Sequence, residues 1–195
     1  RSTLFPYTTL FRSSYGILNM KSQYNTIGII GIYETLQKYG MTYKDELGYT
    51  YYTDEGIDFA KDILRTIHEI KDDFAKDKDY MINIEQIPVE RAATILMEKD
   101  KIFYPNEDYE LPLYGNQWIP LGVKTNIQEK VRLSAILDDA CSGGSIAHIN
   151  IDAPFKDFNT AWDILNYIAD AGVTYFAFNL RISSCENNHG FYGEV

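Results

Sequence analysis

The chain has 195 residues, a length that fits one domain or a large piece of one. Hydrophobic residues make up 45%, aromatic residues 14% and charged residues 24%, a balance that excludes a wholly disordered or collagen-like chain. With 18 Lys and Arg against 28 Asp and Glu, the formal charge is −10. DNA or RNA is therefore repelled on average and no nucleic-acid partner is expected, although a local nest of backbone N–H groups can still hold the phosphates of a nucleotide. No stretch approaches the ~20 apolar residues of a membrane span, so no membrane partner is expected. Only two cysteines occur, Cys141 and Cys185, which argues against a disulfide scaffold and for a reducing, cytoplasmic setting.

Residues 1–13, RSTLFPYTTLFRS, contain no acid, repeat a Thr-Leu-Phe-x pattern and lack the apolar core of a signal peptide. Thr3 to Ser13 resembles the in-frame translation of a common sequencing adapter. The segment is therefore expected to be an unstructured artefact, with the natural sequence starting near Ser14.

Residues 24–39 carry Ile27, Ile30, Tyr33 and Leu36 at every third position, with Gly28 and Gly31 between them. That spacing predicts a closely packed helix stopped by Gly40. From Asp54 to Lys78, Ile57, Ala60, Leu64, Ile67, Ile70 and Phe74 form one stripe, which predicts a long amphipathic helix capped by Asp54. Residues 80–87 read as a strand running into a helix that starts at Pro88, with the proline in its first turn. The Tyr-, Pro-, Asn- and Gly-rich stretch 103–125 is long for a plain connection. Asn126 with Glu129 forms a capping-box start for a helix to about Ala140, broken by Gly143 and Gly144. Strand 145–151, helix 157–171 ended by Gly172, and strand 173–179 make a β-α-β unit with continuous apolar strands. That pattern predicts an α/β fold with a parallel sheet covered by helices.

The turn Gln86-Ile87-Pro88-Val89-Glu90-Arg91 places unpaired helix N–H groups at the carboxyl end of a strand, where α/β proteins bind ligands. Glu90 there is either a dipole-stabilising carboxylate, which pattern alone favours, or an active-site acid or base. Cys185 and His189, four apart after a strand, fit half of a tetrahedral zinc site or an incidental surface pair. Cys141 reads as a small buried side chain. His148, within a strand alternating Ile and polar residues, and His68, on the helix face opposite the apolar stripe, read as structural or solvated. Trp118 and the tyrosines of 103–114 are expected to pack rather than line a pocket.

Several segments resemble, in the same order, those of the anaerobic (class III) ribonucleoside-triphosphate reductase large subunit. They are Ile27-Gly28-Ile-Ile-Gly31-Ile-Tyr-Glu34-Thr, Ile87-Pro88-Val89-Glu90-Arg91-Ala92-Ala93, Leu113-Tyr114-Gly115-Asn116-Gln117-Trp118, Gly143-Gly144 before a strand, Gly172 to Asn179, and Cys185 to Gly193. The resemblance spans Ser14 to Val195. It implies that residues 14–182 are part of a ten-stranded α/β barrel of the glycyl-radical class, and that 183–195 begin a truncated zinc-binding segment.

It further implies reduction of ribonucleoside triphosphates by an enzyme that carries a glycyl radical made by a separate radical-SAM activase and acts as a homodimer. Glu90 would be the active-site carboxylate near the ribose. Pro88, Val89, Arg91 and Ala92 would place the substrate, and Asn116 lies in a segment near the active site. Cys185 would be a structural zinc ligand, with His189 in place of the second cysteine found in many members. The radical-relaying cysteine, the second half of the zinc site and the glycyl-radical loop do not occur in the chain, which is expected to be a fragment inactive alone. The competing readings are a formate-lyase-like glycyl-radical enzyme and a non-catalytic, zinc-stabilised α/β binding module.

Overall fold

Two parallel strand pairs organise the residues that the computed structural model describes, namely 14–16, 23–78, 80–88, 90–151, 153–180, 182–184 and 190–192. In chain order the elements are β1 (Tyr24–Ile29), α1 (Ile32–Lys38), β2 (Thr42–Lys44), β3 (Thr50–Tyr52), α2 (Asp54–Lys78), β4 (Met81–Gln86) and α3 (Glu90–Phe103). They continue with α4 (Ile127–Leu137), a 3-10 turn at Asp138–Ala140, β5 (Ala147–Ile151), α5 (Phe158–Asp170), β6 (Phe176–Leu180), β7 (Ile182–Ser184) and β8 (Gly190–Tyr192). Strand β1 runs parallel to β4 from Tyr24 opposite Met81 to Ile29 opposite Gln86. Strand β5 runs parallel to β6 from Ala147 opposite Phe176 to Ile151 opposite Leu180. The fold is thus mixed α/β with helical crossovers between parallel strands, as the apolar strand pattern predicts. The pairs β2 with β3 and β7 with β8 are antiparallel. The expectation for residues 1–13 lies outside the described residues.

Residues 24–39 are not one helix. They form β1 and then the short α1, because the apolar side chains belong to two periods: Ile27 and Ile29 alternate along a strand, and Ile32, Tyr33 and Leu36 resume on a helix face. Gly28 marks a close approach between segments. A Cβ on it would lie 1.8 Å from Ile87 Cδ1 and 2.4 Å from Ile87 Cγ1. Gly28→Ala is therefore expected to destabilise the fold by about 1–3 kcal/mol through overpacking. In urea unfolding, pairing it with Ile87→Ala should recover much of that loss, and strict additivity of the two changes would refute the contact as the cause. Gly31 then turns the chain into α1 with φ +82°, a left-handed conformation that favours glycine.

Helix α2 spans the predicted residues but is capped by Thr53, whose Oγ1 accepts from Gly56 N at 3.0 Å. Asp54, the predicted cap, sits in the first turn and pairs with Arg132 of α4 at 3.0 Å. Ile57, Ala60 and Leu64 are buried, whereas Ile70 and Phe74 are exposed, so the stripe outruns the core of the described residues. Helix α3 begins at Glu90, leaving Pro88 before the helix and not in its first turn.

The capping box at α4 forms by half. Asn126 Oδ1 accepts from Glu129 N at 2.8 Å, but the buried Glu129 carboxylate turns away, accepting from Tyr52 N at 3.0 Å and pairing with Arg132 at 3.1 Å. The carboxylate so ties β3 to α4. Helix α4 also joins two cores. Its Leu133 and Leu137 enter a cluster with Ile29, Leu36, Leu64, Ile84 and Trp118, while its Val131 packs with Ala147, Ile149, Ile168 and Val173. Trp118 is buried as expected, and its Nε1 donates to Asp138 Oδ1 at 2.6 Å.

Candidate active site

A cleft of about 790 Å³ opens where the carboxyl end of β4 meets the amino ends of β5 and β6. Glu85, Gln86 and Pro88 form one side, residues 111–113, 115–117 and 120–122 the roof, and Gly144, Ser145, Ile146, His148 and Tyr175 the far side. Backbone bonding explains why segments distant in sequence meet there. Gly143 N donates to Ile84 O at 2.7 Å and Gln86 N to Gly144 O at 3.1 Å, extending the edge of β4 by a turn. Gly31 N donates to Gly115 O at 2.8 Å, and Gly115 N returns a bond to Glu34 Oε1 at 2.8 Å. Burial raises the Glu34 carboxyl above its ordinary value, and the Gly115 N–H opposes that rise. Asn116 Nδ2 closes the ring by donating to Ile87 O at 3.0 Å.

Of the residues singled out from the sequence, Pro88 and Asn116 line this cleft. Glu90 is the first residue of α3, two positions beyond Pro88. Arg91 and Ala92 are exposed on the same turn and are not part of the lining. Val89, Cys185 and His189 lie outside the described residues. Among the described residues, no group of three or more His, Cys, Asp or Glu side chains could hold a metal ion. Cys141 is buried, and burial pushes its thiol up to about 12, which suits the apolar role expected of it and not a nucleophile. His68 takes the structural of its two expected roles, not the solvated one. It is half-buried, and its Nε2 donates to Ala140 O at 2.7 Å, because α4 and the 3-10 turn pack over that flank of α2.

The sequence named Gln86 only as the start of the candidate turn and Gln117 and Tyr175 only within family segments, and His148 read as structural or solvated, so none of the four was given a place in the cleft. Gln86 and Gln117 are buried and touch through Gln117 Nε2 and Gln86 Oε1 at 3.5 Å, and Gln117 Oε1 accepts from His148 N at 3.2 Å. The signal available was the alternation of His148 and Asn150 with Ile149 and Ile151, which gives β5 one polar face. Glu85 is the one carboxylate in the described lining, and neither Lys nor Arg occurs in it. Lys130 lies behind the wall. It donates to Ile119 O at 3.1 Å, and burial lowers its ammonium to about 8.

The family model for anaerobic ribonucleoside-triphosphate reductase matches residues 5–195. No curated protein matches the chain. Among solved structures, an anaerobic ribonucleotide reductase superposes with a TM-score of 0.81 and 37% identity, covering 95% of this chain and 31% of its own. The Thermotoga maritima anaerobic ribonucleotide reductase with MES in the active site gives 0.80 and 38%, covering 95% and 32%. The same enzyme in complex with dATP and CTP gives 0.78 and 38%, covering 95% and 31%. The chain thus spans about a third of the length of these relatives. With a family match over nearly its whole length and this agreement in structure, the chain belongs to the anaerobic ribonucleoside-triphosphate reductase family.

Proposed function

We propose that the full-length protein carrying this sequence reduces ribonucleoside triphosphates to deoxyribonucleotides, and that the cleft beside β4 receives the nucleoside part of the substrate. One observation carries this reading. Segments through which the sequence resembles the family meet at one cleft although they are scattered over the chain: Pro88, Gly115 to Gln117, Gly144 and Tyr175 line it, and Gly31, Glu34, Ile87 and Asn179 hydrogen-bond to residues of its lining. The solved relative complexed with dATP and CTP supports a nucleotide as occupant.

The roles follow from charge and geometry. A lining that holds neither Lys nor Arg among the described residues suits ribose and base better than phosphate. A helix start is where phosphates are bound in general, and α3 starts at Glu90, with Arg91 and Ala92 in its first turn; Val89 is assigned to the same role by its place in the sequence. Glu90 is the carboxylate assigned to proton transfer near the ribose, and Asn116, already bound to Ile87 O, holds the roof to β4 so that the cleft keeps its width. In this reading the parallel pairs belong to a ten-stranded barrel over residues 14–182, and the whole enzyme is a cytoplasmic homodimer served by a radical-SAM activase. A glycyl radical supplies the one-electron chemistry. Residues 183–195 begin a zinc-binding segment in which Cys185 and His189 are two of the ligands. The test is the full-length protein with its radical installed, assayed for conversion of CTP, ATP, GTP or UTP to the deoxy product. A normal radical signal with no deoxynucleotide from any of them would overturn the assignment.

A further inference from the structure

Two side-chain relays end on the cleft wall, and each starts at a backbone group with a single hydrogen-bonding role, so the hydrogens along them follow from the chemistry. The Leu121 carbonyl only accepts, so Asn150 presents Nδ2 to it at 3.2 Å and turns its Oδ1 towards Asn179. Asn179 Nδ2 then donates to Asn150 Oδ1 at 3.3 Å and to His148 Nδ1 at 3.4 Å. His148 Nδ1 is therefore the lone-pair nitrogen, and the neutral imidazole carries its proton on Nε2. From the other side, the His148 backbone N–H only donates. It fixes Gln117 Oε1 as acceptor, Gln117 Nε2 as donor and Gln86 Oε1 as acceptor, which anchors this point of β5 to the end of β4. The imidazole is half-buried in the cleft wall, and its Nε2 has no partner among the described residues.

We propose that His148, held by Asn179 with its proton on Nε2, is a substrate-binding residue that donates a hydrogen bond to a neutral oxygen of the nucleoside, with Asn179 and Asn150 as positioning residues. The inference rests on the functional reading above. A hydroxyl or base carbonyl is the matching acceptor, because the described lining holds Glu85 and no Lys or Arg to draw a phosphate inward. The titratable groups that share a lining with His148 among the described residues are Glu85 of β4 and Tyr175 ahead of β6 in the cleft, and Lys130 of α4 in a small neighbouring gap.

The experiment measures dissociation constants of CTP and ATP for the full-length protein by equilibrium dialysis between pH 6 and 9. His148→Leu is expected to weaken binding about tenfold, the loss of one hydrogen bond to a substrate oxygen. His148→Gln, whose Nε2 reaches a similar point, should restore most of it. Asn179→Asp reverses the relay, since the carboxylate takes the proton at Nδ1 and leaves a lone pair on Nε2 of the neutral ring. That variant should bind like the unaltered protein at acid pH, where the imidazolium keeps both protons, and lose about tenfold as the ring deprotonates. The unaltered protein should not show that step. Tight binding unmoved by His148→Leu, a His148→Gln protein no better than His148→Leu, or an unchanged pH profile in Asn179→Asp would each overturn the proposal. No nucleotide binding by the unaltered protein would instead overturn the functional reading and this inference with it.

Discussion

Glu90→Gln in a full-length reductase carrying this sequence is expected to bind nucleotide and to turn over about 10²–10⁴-fold more slowly, the range contributed by a positioned general acid or base. The amide keeps the size of the side chain and removes the transferable proton. The competing reading of Glu90, a first-turn carboxylate that stabilises the α3 dipole, predicts a different pattern. There the substitution would cost a few tenths to about 1 kcal/mol of stability and leave turnover intact. Rate measured beside the radical signal and the thermal midpoint separates the two. Near-normal turnover with a normal radical would remove Glu90 from the chemistry.

The second large effect concerns Leu36, which is fully buried in the core cluster that also holds Ile29, Ile84 and Leu133. Leu36→Ala is expected to cost about 2–5 kcal/mol, the lost transfer free energy plus the cavity left behind. Helix α1 has seven residues, too few to persist without packing. It also delivers the Gly31 and Glu34 bonds to Gly115, so its loosening should reach the roof of the cleft. Leu36→Met, which conserves volume, should cost less than about 1.5 kcal/mol. Urea unfolding of both variants checks the pair, and equal losses would show that a cavity is not the cause.

The amphipathic stripe of α2, the apolar runs of β4, β5 and β6, the Asn126 cap and the glycine stops were legible in the sequence. So was the family, through short motifs whose order is retained. These are local signals: a period, a cap or a turn is written within a few residues of where it acts. Tertiary structure alone decided that residues 24–29 are a strand, because a three-residue apolar spacing fits a helix until Ile87 is seen lying over Gly28. It alone sent the Glu129 carboxylate to Tyr52, 77 positions away, instead of back to its own helix start. The cleft followed the same rule. Pro88 and Asn116 were found through motifs, but Gln86, Gln117 and His148 enter it through side-chain partners 31 residues apart. Which of several amides and carbonyls such a side chain meets depends on the register between packed elements, and no local period of the sequence encodes that register.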